Sequence, residues 1–243
     1  GTDYDCDGLP EDEIVVAYLP GQQSSWANLP ALHDLVAQSP SYGGCALSFV
    51  DVAAPVTESA LNATGAHVAM ISSPGENCTA YDVNDRDEII DWLVGAGRGI
   101  VITGTLGTNV CQTFTGRYEL ATLAGVTLSS ANPATSLSPN VERTGSAFWT
   151  GISGFSYVSN GDTQADNVVG LCTGATLEGL VGNQLTETPR QIVRYQANPL
   201  APCLTGTPMD HRAAWIPLQA EDGGNLTDRR LLFNAIDWIK SAL

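Results

Sequence analysis

The stretch Asp85-Arg-Asp-Glu-Ile-Ile-Asp-Trp-Leu-Val-Gly-Ala-Gly-Arg-Gly-Ile-Val-Ile-Thr103 decides the fold. Its first part is the clearest helix in the chain, predicted over Asp85 to Gly95. Asp85, Asp87 and Glu88 occupy the first turn, where the helix dipole favours carboxylates, and Ile89, Ile90, Trp92 and Leu93 form the inward stripe. Gly95, Gly97 and Gly99 stop the helix, and Gly99-Ile-Val-Ile-Thr103 follows as an apolar run of strand length. A strand with no polar alternation has to be covered on both faces, which is the condition of a strand inside a parallel sheet.

The same alternation extends outward on the N-terminal side. Apolar runs at Ile14 to Leu19, Cys45 to Val50 and His67 to Ser72 read as further buried strands, the first ended by Pro20-Gly21. Between them, helices are predicted over Asn28 to Gln38 and Thr57 to Asn62. Strand and helix thus alternate through short connections, which predicts an α/β fold on a doubly wound, mostly parallel sheet. The second half reads differently. Residues 127–165 are rich in Ser, Thr, Asn and Gly and predict long loops, with extra short strands at Phe155–Val158, Ala175–Val181, Gln191–Tyr195 and Arg212–Ile216. An amphipathic helix from Asp228 to Leu243, with Asp228 as its cap, closes the chain.

The 243 residues suffice for one substantial core, and no linker divides them after residue 13, so residues 14–243 are read as one domain. Twenty-six acidic residues against ten basic ones give a formal charge of -16, and Lys240 is the only lysine. Such a chain is repelled by nucleic acid and by anionic membranes. With only 15% charged residues and 43% hydrophobic ones it is still no acidic disordered tail. No apolar run is long enough to span a bilayer. Cys6, Cys45, Cys78, Cys111, Cys172 and Cys203 are dispersed with no C-x-x-C pair, which suggests neither a zinc site nor a dithiol redox centre. They fit an exported protein, extracellular or at the cell surface, with disulfides of open connectivity; buried free thiols are the alternative.

Residues 1–13 stand apart as an acidic lead-in. Asp3, Asp5 and Asp7 alternate, Gly8 offers a sharp turn, Leu9 a backbone carbonyl and Glu11 a further carboxylate, which is the order in which a calcium loop presents its oxygens. This stretch resembles the D-x-D-x-D-G calcium repeats of thrombospondin type 3, although the closing carboxylate of such a loop falls here at Ile14. The other reading is a solvated acidic tail.

Three further segments together resemble the class I glutamine amidotransferase-like superfamily, and within it the trehalose-utilisation (ThuA-like) branch. They are Asp85 to Gly104, Ala147-Phe-Trp-Thr-Gly-Ile-Ser-Gly-Phe155 and Arg229-Arg-Leu-Leu-Phe-Asn-Ala-Ile-Asp-Trp238. The resemblance runs in order from Ile14 to Leu243 and implies a flavodoxin-like winding, an elbow after the fourth strand, and a late group of strands before the closing helix. It does not bring the chemistry with it. The family's elbow is G-x-C-x-G, and the corresponding turn here is Thr103-Gly104-Thr105-Leu106-Gly107, with Thr105 in the place of the cysteine. The family's H-x-E base is missing as well, since His211 is the only late histidine and no glutamate stands two residues on.

Without G-x-S-x-G, a P-loop or H-E-x-x-H, the simplest hydrolase, nucleotide and zinc-peptidase readings fall away, and no nucleotide or redox cofactor is expected. Ligands of a doubly wound sheet gather at the carboxyl ends of its strands. The loops expected there carry Gln22, Gln23, Ser25, Trp26, Glu76, Thr105 and Asn109, hydroxyls and amides with one carboxylate beside an indole, a set that suits a sugar or polyol. The sequence therefore points to a non-catalytic exported module that contacts carbohydrate or other surface protein subunits. The rival is a secreted hydrolase using Ser72, Ser73 or Thr105 with His211.

Overall fold

A computed structural model describes residues 14–20, 47–72, 83–94, 97–103, 117–128, 135–136, 141–145, 147–152, 164–165, 168–182, 190–201, 203, 210–217 and 226–241. The apolar runs of the first half become β1 (Ile14–Pro20), β2 (Leu47–Asp51), β3 (Val68–Ser72) and β4 (Gly99–Thr103). They lie parallel in the spatial order β2-β1-β3-β4. The late strand β12 (Arg212–Ile216) pairs parallel with β4, although more than a hundred residues separate them in the chain. Beyond β12 the sheet continues antiparallel through β11 (Arg190–Gln196), β10 (Ala175–Val181) and β7 (Val141–Arg143). Among the described residues this is one eight-stranded, mostly parallel sheet.

Both faces of the sheet are buried, as the apolar runs demanded. On one face Val16, Tyr18, Val68, Met70, Val101, Ala214 and Ile216 pack under the closing helix α4 (Leu226–Lys240). On the other, Ala17, Leu19, Ala69, Ile71, Ile100, Ile102, Ala213 and Trp215 form a core with three helices. These are α1 (Glu58–Ala63), α2 (Val83–Val94) and α3 (Arg117–Leu123), which contribute Leu61, then Ile89, Trp92 and Leu93, then Leu120, Ala121 and Leu123. α1 begins at the cap Thr57, whose side chain accepts from the Ala60 amide at 3.1 Å. Asp85 at the start of α2 is buried and accepts from the Val56 amide at 2.5 Å, so a carboxylate placed for the helix dipole also ties α2 to the preceding segment.

The structure revises several expectations. Residues 127–165 are not loops throughout: β5 (Val126–Leu128) and β7 form there, with β6 (Thr135–Ser136), β8 (Gln164–Ala165) and a 3-10 turn at Ala147–Trp149. β5 pairs antiparallel with β9 (Val168–Leu171), and β6 with β8, in two small separate sheets. α4 starts at Leu226, so Asp228 lies in its first turn instead of capping it; the helix dipole favours a carboxylate there as well. The helix predicted over Asn28–Gln38 and the strand predicted over Phe155–Val158 lie outside the described residues.

Two segments of the superfamily-like pattern meet in space. Asn234, in the middle of α4, donates from its amide to the Phe148 carbonyl at 2.8 Å and to the Thr150 carbonyl at 2.9 Å. The Ala147–Trp149 turn is thereby pinned to the closing helix, and Phe148 and Trp149 are buried in the core beneath it.

Candidate functional site

Register places Pro20, Ser72, Thr103 and Ile216 in one row across the carboxyl ends of β1, β3, β4 and β12. The strand order reverses between β1 and β3, since β2 lies to one side of β1 and β3 to the other. That crevice is where an open parallel sheet takes its ligands. Tyr18, 1% exposed, stands two residues before the end of β1 and meets Phe49 of β2 edge to face at 6.4 Å.

Thr103 brings a buried hydroxyl to this row. It is fully buried, and its Oγ1 has no hydrogen-bond partner among the described residues. A buried hydroxyl left without a partner costs about 1–3 kcal/mol, so a ligand oxygen arriving at this edge would recover what folding leaves unmade.

The described histidines stand at the other edge. Arg212 pairs with Gly99 at the amino ends of β12 and β4, and His211 precedes Arg212. Ile216, in the row of Ser72, is five residues beyond His211, or roughly 16 Å along the strand. His211 and Ser72 are therefore not brought together. His211 is instead a structural group: buried, it faces Tyr195 edge to face at 5.8 Å, and its Nε2 donates to the Leu123 carbonyl at the end of α3 at 2.7 Å. His67, the other described histidine, is exposed at the residue before β3, and its carbonyl accepts from the Gly99 amide at 2.8 Å.

Burial pushes the His211 imidazole below its ordinary pKa of 6.5, against the opposing pull of the Leu123 carbonyl and Asp210. The folded state thus refuses a proton that the unfolded chain accepts. The stability this represents is complete above pH 6.5 and is lost as the pH falls below it. His67, though exposed over much of its surface, shifts in the same direction, by partial desolvation first and then by the charges of Lys240 and Arg98. A His211→Gln variant keeps a donor for Leu123 and leaves His67 untouched. Its denaturant midpoint should fall less than that of the parent between about pH 7 and 5, and parallel curves would refute the assignment.

The remaining sequence candidates lie outside the described residues: Asp3, Asp5, Asp7, Leu9 and Glu11 of the calcium-type loop; the hydroxyls Ser73 and Thr105; and Gln22, Gln23, Ser25, Trp26, Glu76 and Asn109 of the ligand edge. So do Cys6, Cys45, Cys78 and Cys111. Cys172 and Cys203 are joined in a disulfide. Among the described residues no group of three His, Cys, Asp or Glu is placed to hold a metal ion, and no helix is long and apolar enough to cross a membrane.

One charged pair escaped the sequence reading. Glu178 is fully buried at a bulge in β10, with its Oε1 2.6 Å from Arg194 Nε of β11. Arg194 is partly open to solvent and lies over the Trp238 ring of α4 at 5.7 Å, while the Glu178 carbonyl accepts from the Trp149 indole at 2.6 Å. The signal available in sequence was a lone carboxylate followed by Gly179 inside an apolar strand, since bulges re-aim side chains and glycine permits them.

No protein-family model matches the sequence, and no curated protein matches it. Among solved structures the chain is similar to a ThuA-like protein from Bacteroides uniformis, with a TM-score of 0.54 at 12% identity. The correspondence covers 96% of this chain and 95% of that one. The fold is therefore ThuA-like over nearly its whole length: a mixed α/β architecture on a large, mostly parallel sheet.

Proposed function

We propose that this chain is a non-catalytic, exported contact module on a degenerate amidotransferase-like scaffold, doubly wound as in that superfamily. The observation that carries the reading is the position of the described histidines at the amino edge, opposite the row that holds Ser72 and Thr103. A general base has to stand within about 3 Å of the proton it removes, and His211 is remote from Ser72 and committed to the end of α3. The ligand class is a neutral carbohydrate or polyol: the unpartnered Thr103 hydroxyl fits a sugar hydroxyl, and the candidate loop residues add amides and the Trp26 indole. The Cys172–Cys203 disulfide favours an oxidising compartment, hence export to the surface or beyond, where other protein subunits are available as partners. Calcium at Asp3, Asp5, Asp7, Leu9 and Glu11 belongs to the same reading as a stiffener of the lead-in.

The test is a calorimetric titration with neutral oligosaccharides, run in calcium and again in chelator, beside a serine-reactive fluorophosphonate probe. Thr103→Val should fold as well as the parent, because it removes an unpaired hydroxyl at nearly constant shape, yet bind sugar several-fold more weakly. Trp26→Ala should abolish the binding. Covalent labelling of Ser72, or ester hydrolysis lost in Ser72→Ala, would overturn the non-catalytic reading. Absence of heat with every sugar would overturn the ligand class, and a melting temperature indifferent to chelator would remove the calcium.

A further inference from the structure

Acidic as the chain is, its charges leave three stretches empty. No charged residue stands from Leu120 to Val141, from Asn167 to Leu177 or from Tyr195 to Met209. The fold draws described parts of all three together. β5 pairs with β9, and the Gly125 carbonyl before β5 accepts from the Cys172 amide at 2.9 Å. Tyr195 pairs with Ala175, and the Gln196 amide donates to the Gly174 carbonyl at 3.3 Å. The Cys172–Cys203 disulfide then fastens the second stretch to the third.

This uncharged face also carries exposed apolar side chains. Val169 and Leu171, on β9, are 62% and 41% exposed and alternate with the half-buried Val168 and Gly170. Leu200 is 93% exposed, in a turn where the Ala201 amide donates to the Asn198 carbonyl. Leu171 precedes Cys172 and Leu200 stands three residues before Cys203, so the two leucines lie within roughly 20 Å of each other. The other exposed large apolar residues among those described are Val50 and Val94. Val50 precedes the exposed Asp51, and Val94 lies one helical turn from the exposed Asp91, so neither belongs to an uncharged face. β9 is bonded to β5 along one edge, and its other edge has no strand partner among the described residues.

A face without charge selects its partner on a chain of -16. A two-fold interface sets each patch against its own copy and doubles every carboxylate in it, so two such chains repel each other across an acidic contact. A basic partner would be drawn to the acidic remainder of the surface instead. Interface cores are depleted in charge, and a stable contact covers about 800 Å² per partner, a patch roughly 30 Å across. The span from Leu171 to Leu200 fits inside such a footprint. We infer that a second copy of this chain docks on the uncharged face, with Val169, Leu171 and Leu200 of each copy at the contact. The open edge of β9 meets its twin there. A two-fold axis brings equal strands together antiparallel, and their unpaired amides and carbonyls then complete a ladder. The reading of the carboxyl edge plays no part in this docking, and a monomer would leave it standing.

Sedimentation equilibrium of the full chain under oxidising conditions, from micromolar to millimolar concentration, is the test. The mass should rise from monomer to dimer and stop there. Raising the salt to about 1 M should tighten the dimer several-fold, because it screens the repulsion of two acidic copies and finds no ion pair at the contact to weaken. Leu200→Asp should weaken the dimer about tenfold or more, and Val169→Asp combined with Leu200→Asp should leave only monomer. Leu200 stands almost wholly in solvent, so the denaturant midpoint of Leu200→Asp, taken where both chains are monomeric, should match the parent. The salt titration needs no variant and decides by itself. A monomer at every concentration would overturn the docking. So would a dimer that salt loosens, that the double variant retains, or that survives denaturing electrophoresis without reductant.

Discussion

Gly125→Ala is expected to destabilise the fold by about 2–5 kcal/mol, read as a fall in denaturant midpoint at constant slope. Gly125 ends α3 with φ at +80°, donating to the Thr122 carbonyl at 3.1 Å and accepting from the Cys172 amide at 2.9 Å. The left-handed conformation costs a side chain about 1–2 kcal/mol by itself. A Cβ would also stand 2.4 Å from Tyr195 Cγ and 2.6 Å from its Cβ, and overpacking of that kind costs about 1–3 kcal/mol more. Tyr195 has little room to yield: it is 2% exposed, edge-on to His211, and its hydroxyl is bonded to the Cys203 backbone. Gly97→Ala is the control, because Gly97 has nearly the same φ, +72°, with nothing within 4 Å of the added carbon. It should lose only the conformational part, and equal losses at the two glycines would refute the clash with Tyr195.

The parts of the fold that were legible share a physical cause. Gly99–Thr103 is buried at all five positions, so its apolar run had no polar face to blur it, and its bounds agree with the sequence reading residue for residue. α2 was legible because four large apolar residues follow a cluster of carboxylates at helical spacing, though it starts two residues earlier than Asp85. α3 was missed because seven residues are too few to establish a period, even with Leu120, Ala121 and Leu123 fully buried. β6, β7 and β8 are two or three residues long and cannot display alternation at all. The partner of a strand was beyond reach altogether. Arg212–Ile216 reads as a strand from its composition, but nothing local says that it lies between β4 and β11.

The candidate site divides in the same way. That a carboxyl-edge row would gather the ends of β1, β3 and β4 follows from a parallel sheet, and register bears this out with Pro20, Ser72 and Thr103. His211 had been a candidate because it was the only histidine late in the chain. In a strand parallel to the rest, a residue that precedes it stands at the amino edge, so the order Asp210-His211-Arg212 already separated His211 from Ser72 once β12 was known to run parallel. The unpartnered hydroxyl of Thr103 and the Glu178–Arg194 pair depend on contacts between elements distant in sequence. No window of the sequence holds them.

Removing the Cys172–Cys203 disulfide by a double substitution to alanine should cost about 3–4 kcal/mol, the loop-closure entropy of a link across 31 residues. The bond joins the turn between β9 and β10 to the segment between β11 and β12. Cys172 follows β9 and donates its amide to Gly125, and Cys203 lies in the segment between β11 and β12, its backbone bonded to the Tyr195 hydroxyl. Once the link is cut, the unfolded chain regains the freedom of the whole stretch that contains β10 and β11, while the folded chain loses only one covalent tie. Reductant on the parent chain is a poorer experiment, since it reaches every cysteine, whereas the double variant isolates this pair. Chemical denaturation of the variant against the parent under oxidising conditions measures the loss, and a difference below about 1 kcal/mol would show that packing around Tyr195 already holds the two segments. A loss of the expected size is a large share of the roughly 5–15 kcal/mol that holds a domain together, so the chain would keep its full stability only in a compartment where the link stays oxidised.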